Sequence, residues 1–489
     1  MDPLPSQCLL KIFEYIEYIS IKKNLFIYKT LHNCIFVNKQ WSSLAISILW
    51  RNPLESISSE NDDDDDRMIS IMKTYLTFIS QKSKDSLMKN DLKLPEEILR
   101  QASYDYPSHL QILNYQKLYD AISLLIKKYF HKEDNEKIFH QHQLLEHILR
   151  MFMNKCRKIY RIDISDVPNS NVIFHFPLLP DSDKCLSNIT EFYYKGNRHS
   201  EFIYLLSQIC TQIKSFRLED QEYDNQGLAK LLDIQKVPLE SLSIGLKTSS
   251  TLLIENIIKE KNLDNISRLK LNGSSKLFLS EFKNLKELES IMSFNGCYFL
   301  NATFPKLEKF TISNFYMDRD ICDFLIIHGI KLKYLYFRGT SINHNMKIMG
   351  KLSETLVKYC PNLIEYEGYI CVKTKKLRNN HLLVLFKTCT KLEKLHFWGE
   401  YASYDINDFL KIASEYIPKD LNTLRLDPYW EFNEESLDVF LNGCKKRLTK
   451  KLNLEIPSSR RSPKIDLVLD KYARENVLYE EYIINSAKV

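Results

Sequence analysis

The sequence predicts an α/β protein in which an N-terminal helical part precedes a long array of strand-and-helix repeats. Over the first fifty residues, apolar side chains recur at helical spacing. Residues 68–155 continue with apolar spacings of three and four, which again favour helices. From Cys156 onward, a six-residue pattern with apolar first, fourth and sixth positions returns every 19 to 31 residues. Such a repeat is typical of a solenoid with a parallel sheet on its concave face and helices outside.

The composition is that of an ordinary globular protein with more than one domain. The chain has 489 residues, of which 44% are hydrophobic and 27% charged, and its net charge is +6. This small excess indicates neither nucleic acid nor a membrane as partner. No run of 18 apolar residues is present, and no basic and apolar leader follows Met1. Eleven cysteines without a CxxC pair favour reduced thiols, so we expect a cytoplasmic and/or nuclear location.

No motif of a common catalytic or cofactor-binding site is present. With only 11 glycines, the chain has no GxGxxG, Walker, HExxH or GxSxG motif. His140, His142 and His147 lie at offsets that do not match a metal-binding pair at i and i+4. We interpret these histidines as part of a polar helix face. We therefore expect no enzyme activity, no catalytic residue, no cofactor and no metal site.

Three amphipathic helices are predicted at the start of the chain, over residues 6–18, 24–34 and 37–49, with Ser6 as the N-cap of the first. A three-helix unit of this size buries too little apolar surface to stand alone. Apolar surface should therefore remain for a partner.

The residues of this unit also resemble a known family. The elements that carry the resemblance are Leu4-Pro5, Leu9, Ile12-Phe13, the segment Val37-Asn38-Lys39-Gln40-Trp41, and Leu49-Trp50. In this order and spacing they resemble an F-box, which would occupy residues 1–53. Gln7 and Cys8 stand where many F-boxes carry an acidic residue. The alternative is a generic helical hairpin with core aromatic residues.

An F-box implies docking onto a Skp-type adaptor. The residues that the resemblance assigns to the adaptor contact are Leu4, Pro5, Leu9, Ile12, Phe13, Val37, Trp41, Leu44 and Trp50. Some of these side chains must instead hold the three helices together, and the sequence alone does not divide them.

An acidic linker is predicted over residues 54–67. Five consecutive aspartates at 62–66 repel one another and cannot bury a face, so we expect a solvated loop. A metal-binding run is the alternative. A helical connecting region follows over residues 68–155, with helices expected at 68–80, 110–130 and 137–155.

The repeats extend over residues 156–463. Eleven regular copies of the pattern are IYRIDI (159–164), ITEFYY (189–194), IKSFRL (213–218), LESLSI (239–244), ISRLKL (266–271), LKELES (285–290), LEKFTI (307–312), LKYLYF (332–337), LIEYEG (363–368), LEKLHF (392–397) and LNTLRL (421–426). A twelfth copy, with one residue inserted, begins at Leu448. Residues 464–489 are expected to cap the array.

This period resembles that of leucine-rich repeats of the cysteine-containing kind. Cys156, Cys210, Cys360 and Cys389 each stand three residues before the first apolar position of a copy. In such repeats we expect these cysteines to be small buried hydrophobes with inert thiols. A redox or metal role is the alternative.

Target recognition is expected on the outward residues of the strands, because side chains alternate across a strand. The middle outward positions are Asp163, Tyr193, Arg217, Ser243, Lys270, Glu289, Thr311, Tyr336, Glu367, His396 and Arg425. Tyr, Trp and Arg dominate binding hot spots, and these types gather late in the array. The candidate target-binding residues are Tyr334, Tyr336, Arg338, His396, Trp398 and Arg425. Alternatively, they only cover the sheet or pack against the C-terminal tail.

F-box proteins with leucine-rich repeats, which this chain resembles and which form large fungal families, are substrate-recognition subunits of SCF-type, cullin-RING ubiquitin ligases. The resemblance implies a Skp-type adaptor, cullin and RING subunits through that adaptor, and an unidentified target protein. The alternative function is a protein-binding scaffold outside any ligase. The basic cluster at 445–451 is either a nuclear import signal or the cationic end of a helix.

Overall fold

A computed structural model gives the fold of the chain in two compact units, residues 1–242 with 248–261 and residues 243–247 with 262–489. The structure describes residues 5–23, 27–55, 62–90, 92, 98, 102, 104–129, 134–167, 173, 175–196, 198–221, 225–246, 252–261, 263–272, 279–291, 302–313, 319–338, 346–369, 381–398, 404–426, 430–456 and 461–479. Predictions that fall elsewhere, such as the adaptor contact of Leu4, lie outside the described residues.

The first unit begins with helices and continues with alternating strands and helices. Its helices are α1 (Ser6–Lys23), α2 (Ile27–Cys34), α3 (Lys39–Leu49), α4 (Asp62–Leu76), α5 (Gln81–Lys89), α6 (Tyr115–Tyr129), α7 (Asp134–Lys155), α8 (Ser182–Leu186), α9 (Ser200–Ser207), α10 (Gln226–Asp233) and α11 (Leu252–Glu260). Its strands are β1 (Ile112–Asn114), β2 (Arg161–Ile164), β3 (Glu191–Lys195) and β4 (Ser215–Gln221), and β5 (Ser241–Leu246) is divided between the units.

The second unit consists of alternating strands and helices. Its strands are β6 (Arg268–Asn272), β7 (Glu287–Ile291), β8 (Lys309–Ser313), β9 (Tyr334–Arg338), β10 (Glu365–Tyr369), β11 (Lys394–Trp398), β12 (Tyr404–Asp405), β13 (Thr423–Arg425), β14 (Trp430–Glu431) and β15 (Asn453–Glu455). Its helices are α12 (Arg319–His328), α13 (Met346–Tyr359), α14 (His381–Thr388), α15 (Asn407–Ala413), α16 (Glu434–Arg447) and α17 (Pro463–Arg474).

Thirteen strands follow one another in chain order in a parallel sheet, and β12 and β14 form a separate parallel pair. All twelve predicted strand patterns form strands of the large sheet, which confirms the repeat. Equivalent apolar positions align in register, as Leu335, Tyr366 and Leu395 do across β9, β10 and β11. These side chains are buried. Consecutive helices from α12 to α17 contact one another and form a layer beside the strands. This is the leucine-rich-repeat type of α/β solenoid.

Strand β1 is an additional repeat that lies inside a predicted helix, so the prediction of one helix over residues 110–130 is wrong. Leu110, Leu113 and Tyr115 follow the apolar pattern of the other copies, and all three are buried. Because β1 pairs in parallel with β2, Leu113 lies opposite Ile162 and joins the same apolar layer. Helix α6 begins only at Tyr115.

The acidic run also differs from its prediction, because Asp62–Leu76 is one helix. Five aspartates in the first turns complement the positive end of the helix dipole, which offsets their mutual repulsion. Arg67 pairs with Asp64 at 3.1 Å, and Lys128 pairs with Asp66 at 2.5 Å. The solvated loop predicted within the acidic linker 54–67 is therefore wrong from residue 62 onward, whereas residues 56–61 lie outside the described part of the chain.

The histidines of α7 do not form one polar face. His140 is buried, with 3% of its surface exposed, and its Nε2 lies 2.8 Å from the backbone oxygen of Asn90. The polar-face prediction is therefore wrong for His140. Among the residues that the structure describes, no group of three His, Cys, Asp or Glu side chains is arranged to hold a metal ion. Within the described ranges, no helix is long and apolar enough to cross a bilayer.

The repeat cysteines are buried, as predicted. Cys156, Cys210, Cys360 and Cys389 are at most 1% exposed and carry free thiols. Three of them donate to a backbone oxygen of the preceding repeat, and the Sγ of Cys389 lies 3.2 Å from the oxygen of Cys360. Burial raises the pKa of all four thiols, that of Cys389 to about 11. These cysteines therefore pack as inert hydrophobic side chains.

A reactivity difference among the thiols should follow from this burial. Cys8 is exposed, so we expect an alkylating reagent near neutral pH to modify it rapidly. The four repeat cysteines should react only after global unfolding, because their thiols are buried and protonated. Mass spectrometry of the alkylated peptides, with and without urea, measures both rates. Rapid native-state modification of Cys389 would contradict the inert thiol.

Candidate functional site

The three N-terminal helices enclose a small core. Phe13, Leu31, Cys34, Ala45 and Ile48 are buried in it, and further apolar side chains pack partly against them. The backbone oxygen of Pro5 accepts hydrogen bonds from the amide groups of Cys8 and Leu9 in the first turn of α1. The sequence had predicted Ser6 as the N-cap of α1, but Ser6 is instead the first residue of that helix. This core fixes which side chains of the unit remain outside.

The structure divides the residues that were predicted to bind an adaptor. Leu9 and Phe13 are buried, with 2% and 1% of their surface exposed. Trp41 packs edge-on against Phe13, with ring centroids 5.3 Å apart, and Leu44 is also partly buried against the core. These four side chains therefore contribute mainly to the core of the three-helix unit and offer little exposed surface to a partner.

Trp50 lies against the helical region that follows. Its ring centroid is 5.3 Å from that of Tyr75 and 4.4 Å from that of Tyr106. The backbone oxygen of the next residue, Arg51, accepts from the amide groups of Gln111 and Ile112 at 2.9 and 3.2 Å. The same pair of hydrogen bonds to the preceding repeat recurs at the start of β2 to β5, β7 to β11 and β13. The three-helix unit is thus continuous with the first strand of the sheet.

An apolar surface remains exposed on the same unit. Ile12 and Val37, both predicted for the adaptor contact, are 45% and 57% exposed, and Pro5 is exposed as well. Tyr15 and Phe36, which the sequence argument missed, are 63% and 74% exposed. Residues 12 and 15 are one helical turn apart, and residues 36 and 37 precede α3. Ile12 and Tyr15 lie on α1, and Phe36 and Val37 lie in the turn before α3; we call these four exposed residues together the helical apolar surface.

Polar contacts hold the elements that carry this surface. The side chain of Asn38 accepts from the amide of Trp41 at 2.9 Å and so caps α3 directly after Val37. The side-chain Nε2 of Gln40 donates to the hydroxyl of Ser6 at 2.9 Å, and this hydrogen bond joins the starts of α1 and α3. At the other end, Arg51 pairs with Glu14 at 2.9 Å. The exposed apolar residues are therefore presented by a fixed framework.

The second candidate site is the outward face of the strands in the second unit. The register aligns Thr311, Tyr336, Glu367, His396 and Arg425 in one row across β8, β9, β10, β11 and β13. All five were predicted as middle outward positions. Four of them are half-buried or exposed, whereas Thr311 is buried, with 4% of its surface exposed, so it offers no surface to a target. Among the candidate target-binding residues, Tyr334, Tyr336 and His396 are half-buried, and Arg338 and Arg425 are exposed, as expected of outward positions. Trp398 pairs with Tyr369 through the backbone register.

Ion pairs and hydrogen bonds connect this face from strand to strand. Arg338 pairs with Glu367 at 3.1 Å, and Nδ1 of His396 lies 3.7 Å from the same carboxylate. Tyr336 donates to Glu365 at 2.7 Å, and Arg338 lies over the Tyr336 ring at 5.1 Å from its centroid. We call these five residues the strand-face cluster.

Arg425 extends the same row, with its Nε 3.7 Å from Glu455 in the last strand. Sequence reasoning found the cations and the tyrosines but missed the role of Glu365 and Glu455 as their partners. The register would have exposed that pairing, because equivalent positions of successive copies become cross-strand neighbours.

Glu367 is the centre of the strand-face cluster. Burial alone would raise the pKa of its carboxyl, but the hydrogen bond from His396 and the charge of Arg338 outweigh burial and lower it. Opposite charges on neighbouring strands thus neutralise each other while the Arg338 side chain stays 53% exposed. The face offers aromatic and guanidinium groups in fixed positions, which suits recognition of a protein surface.

The ionised form of Glu367 should stabilise the second unit in a pH-dependent way. Because its folded-state pKa lies below the ordinary value of 4.5, its contribution is present above that pH and is lost as the pH falls through the folded value. We expect Glu367→Gln to cost about 1 kcal/mol at neutral pH and less in acid. Urea unfolding at several pH values measures this difference. Glu455→Gln, in a more exposed and longer ion pair, is the control and should show a smaller effect.

A second cluster occupies the strand face of the first unit. The Tyr193 ring lies between Arg161 and Arg217, whose guanidinium carbons are 4.6 and 5.6 Å from the ring centroid. Arg161 pairs with Glu191 at 2.6 Å, and Arg217 pairs with Glu219 at 2.7 Å. Burial is the main cause that raises the pKa of Tyr193, to about 12. The two arginines and the two glutamates balance the charge of this face.

Comparisons with known proteins add little to these observations. No protein-family profile and no curated protein sequence matches the chain. Among solved structures, the crystal structure of the mouse RP105/MD-1 complex matches with 13% identity and a TM-score of 0.30, covering 71% of this chain and 73% of that chain. The leucine-rich-repeat assignment therefore rests on the strand order, register and burial of the chain itself.

Proposed function

We propose that this protein is the substrate-recognition subunit of an SCF-type, cullin-RING ubiquitin ligase. Its N-terminal helices would bind a Skp-type adaptor, and through it cullin and RING subunits, while the repeats bind a target protein. The chain would contribute no catalytic side chain and no cofactor. It would act by holding the target near the ubiquitin-loaded enzyme, which raises the effective concentration of the reacting groups. Such a ligase would work in the cytoplasm and/or the nucleus.

The single observation that supports adaptor docking best is the helical apolar surface. Four apolar side chains are at least 45% exposed there, beside a core that already buries Phe13 and Ala45. Exposed apolar groups on a fixed framework favour a protein partner. Ile12 and Val37 also belong to the motif through which the chain resembles an F-box. Pro5 and the partly exposed Trp41 would complete this contact.

The repeat architecture supports the second half of the proposal. Stacked repeats present a row of outward side chains from successive strands, which is typical of protein-binding scaffolds. Tyr334, Tyr336, Arg338, His396, Trp398 and Arg425 remain the proposed target-binding residues. The rival function is a scaffold that uses the same face without joining a ligase, and the strand-face cluster favours it equally.

Affinity capture of the full-length chain from cells treated with a proteasome inhibitor tests this function. The wild type is compared with Ile12→Asp/Val37→Asp, which changes only exposed side chains, and with Arg338→Glu/Arg425→Glu. Point variants are preferable to removing residues 1–53, because the backbone of Arg51 begins the hydrogen-bonded stack. We expect the first variant to lose adaptor and cullin while targets accumulate on it. The second variant should keep the adaptor and lose those targets.

Capture of adaptor without cullin would favour the scaffold function. Absence of both from the wild-type capture would refute docking through the helices. If no protein depends on Arg338 and Arg425, the strand-face assignment fails independently of the adaptor.

A further inference from the structure

An open groove of about 520 Å³ lies in the second unit where the chain enters strands β7 to β11. Five lysines line it: Lys286, Lys306, Lys331, Lys333 and Lys391. Each stands one or three residues before the first residue of its strand, so the groove follows the N-terminal edge of the sheet. It shares no residue with the strand-face cluster.

The lining carries a clear excess of positive charge. Glu308 is the one acidic residue of the lining, and Lys333 already pairs with it at 3.0 Å. Lys331 donates to the backbone oxygen of Pro305 at 2.7 Å, and Lys391 donates to the amide oxygen of Asn362 at 3.3 Å. Both acceptors are neutral, so they orient these ammonium groups without compensating their charge.

The other two lysines, Lys286 and Lys306, are exposed. Over the described parts of the chain, no carboxylate forms an ion pair with either of them, nor with Lys331 or Lys391. Four ammonium groups therefore face one groove with their charge uncompensated. Such a concentration of one sign attracts an anionic partner and speeds its association.

The same groove also contains apolar surface. Ile330 follows helix α12 and is 56% exposed, and it lines the groove together with Pro305 and Ile364. No aromatic ring and no arginine belongs to the lining. Nucleic-acid sites typically use aromatic rings to stack bases and arginine forks to grip phosphates. Lysines around an isoleucine suit carboxylates around an apolar side chain better.

We propose that this groove binds a short, extended protein segment in which acidic side chains surround one apolar residue. Four strand spacings separate β7 from β11, which gives a length of about 19 Å. An extended segment of about six residues spans that distance at about 3.3 Å per residue. The apolar residue would contact Ile330, and flanking carboxylates would pair with Lys306 and Lys391. This site goes beyond the ligase function and does not depend on adaptor docking.

The test uses the full chain and a fluorescent synthetic hexapeptide of aspartates and glutamates with one central leucine. Fluorescence anisotropy at low and at physiological salt gives its dissociation constant. We expect Lys306→Glu/Lys391→Glu to raise that constant by about tenfold or more and to flatten its salt dependence. Ile330→Ser should raise it about threefold and leave the salt dependence unchanged. Lys446→Glu/Lys450→Glu, the matched control outside the lining, should change nothing.

Thermal unfolding shows that each variant folds, and Lys306→Gln/Lys391→Gln replaces the charge reversal if the latter does not fold. Unchanged binding in the groove variants overturns the site. Equal weakening in the control means that general charge, and not the groove, attracts the peptide. Tighter binding of a single-stranded oligonucleotide of equal charge, lost in the same groove variants, would assign the groove to nucleic acid instead.

Discussion

Replacing Ile12 and Val37 together with aspartate should weaken binding of a purified Skp-type adaptor about a hundredfold or more. Both side chains are about half exposed in the free protein, so folding does not require them to be apolar. In the proposed complex, each aspartate would bury a charge against an apolar partner. Isothermal titration of the full chain with the adaptor measures the effect.

The matched control for this variant is Met88→Asp. Met88 lies in α5 of the first compact unit and is 46% exposed, which is close to the 45% exposure of Ile12. Met88→Asp introduces one of the two negative charges of the Ile12/Val37 variant, on a comparable apolar position outside the proposed contact, so adaptor affinity should not change. Equal affinity of wild type and the Ile12/Val37 variant would contradict docking through the helical apolar surface. Equal loss in the control would show that charge alone is responsible.

Trp50→Ala should destabilise the first unit by about 3 kcal/mol. The indole of Trp50 contacts the rings of Tyr75 and Tyr106, and its removal leaves a cavity between α3 and the helical region that follows. The adaptor affinity of the folded variant should stay near that of the wild type, because this ring faces the rest of its own unit. Urea unfolding followed by far-UV circular dichroism measures the stability, and titration measures the affinity.

Trp50→Phe serves as the control, since a smaller ring retains much of the contact and should recover most of the stability. If Trp50→Ala unfolds at the wild-type urea concentration but loses the adaptor, then Trp50 belongs to the adaptor contact. That result would support the F-box motif over the packing seen here. The two experiments together separate residues that form the helical unit from residues that it presents.

The sequence predicted the repeat architecture well because its signal is local and recurs many times. The twelve apolar patterns become strands of the sheet, and Cys210 and Cys389 are buried as expected. The pattern missed β1 because α6 follows it immediately and its apolar residues merge with the helical spacing. It missed the helical start at Asp62 because like charges suggest a loop, whereas the dipole of a helix accommodates them at its first turn.

The sequence by itself determined the order of elements and which faces of the repeats are apolar, since both depend on residue spacing along the chain. Only the tertiary structure decided how each side chain of the N-terminal motif is used. Phe13 and Val37 belong to the same motif, yet one is 1% and the other 57% exposed, because Phe13 lies on the core side of α1 whereas Val37 lies in the turn before α3. Likewise, only the register brought Arg338 and His396 to the carboxylate of Glu367. Contacts between residues distant in sequence depend on the folded chain, and no local pattern contains them.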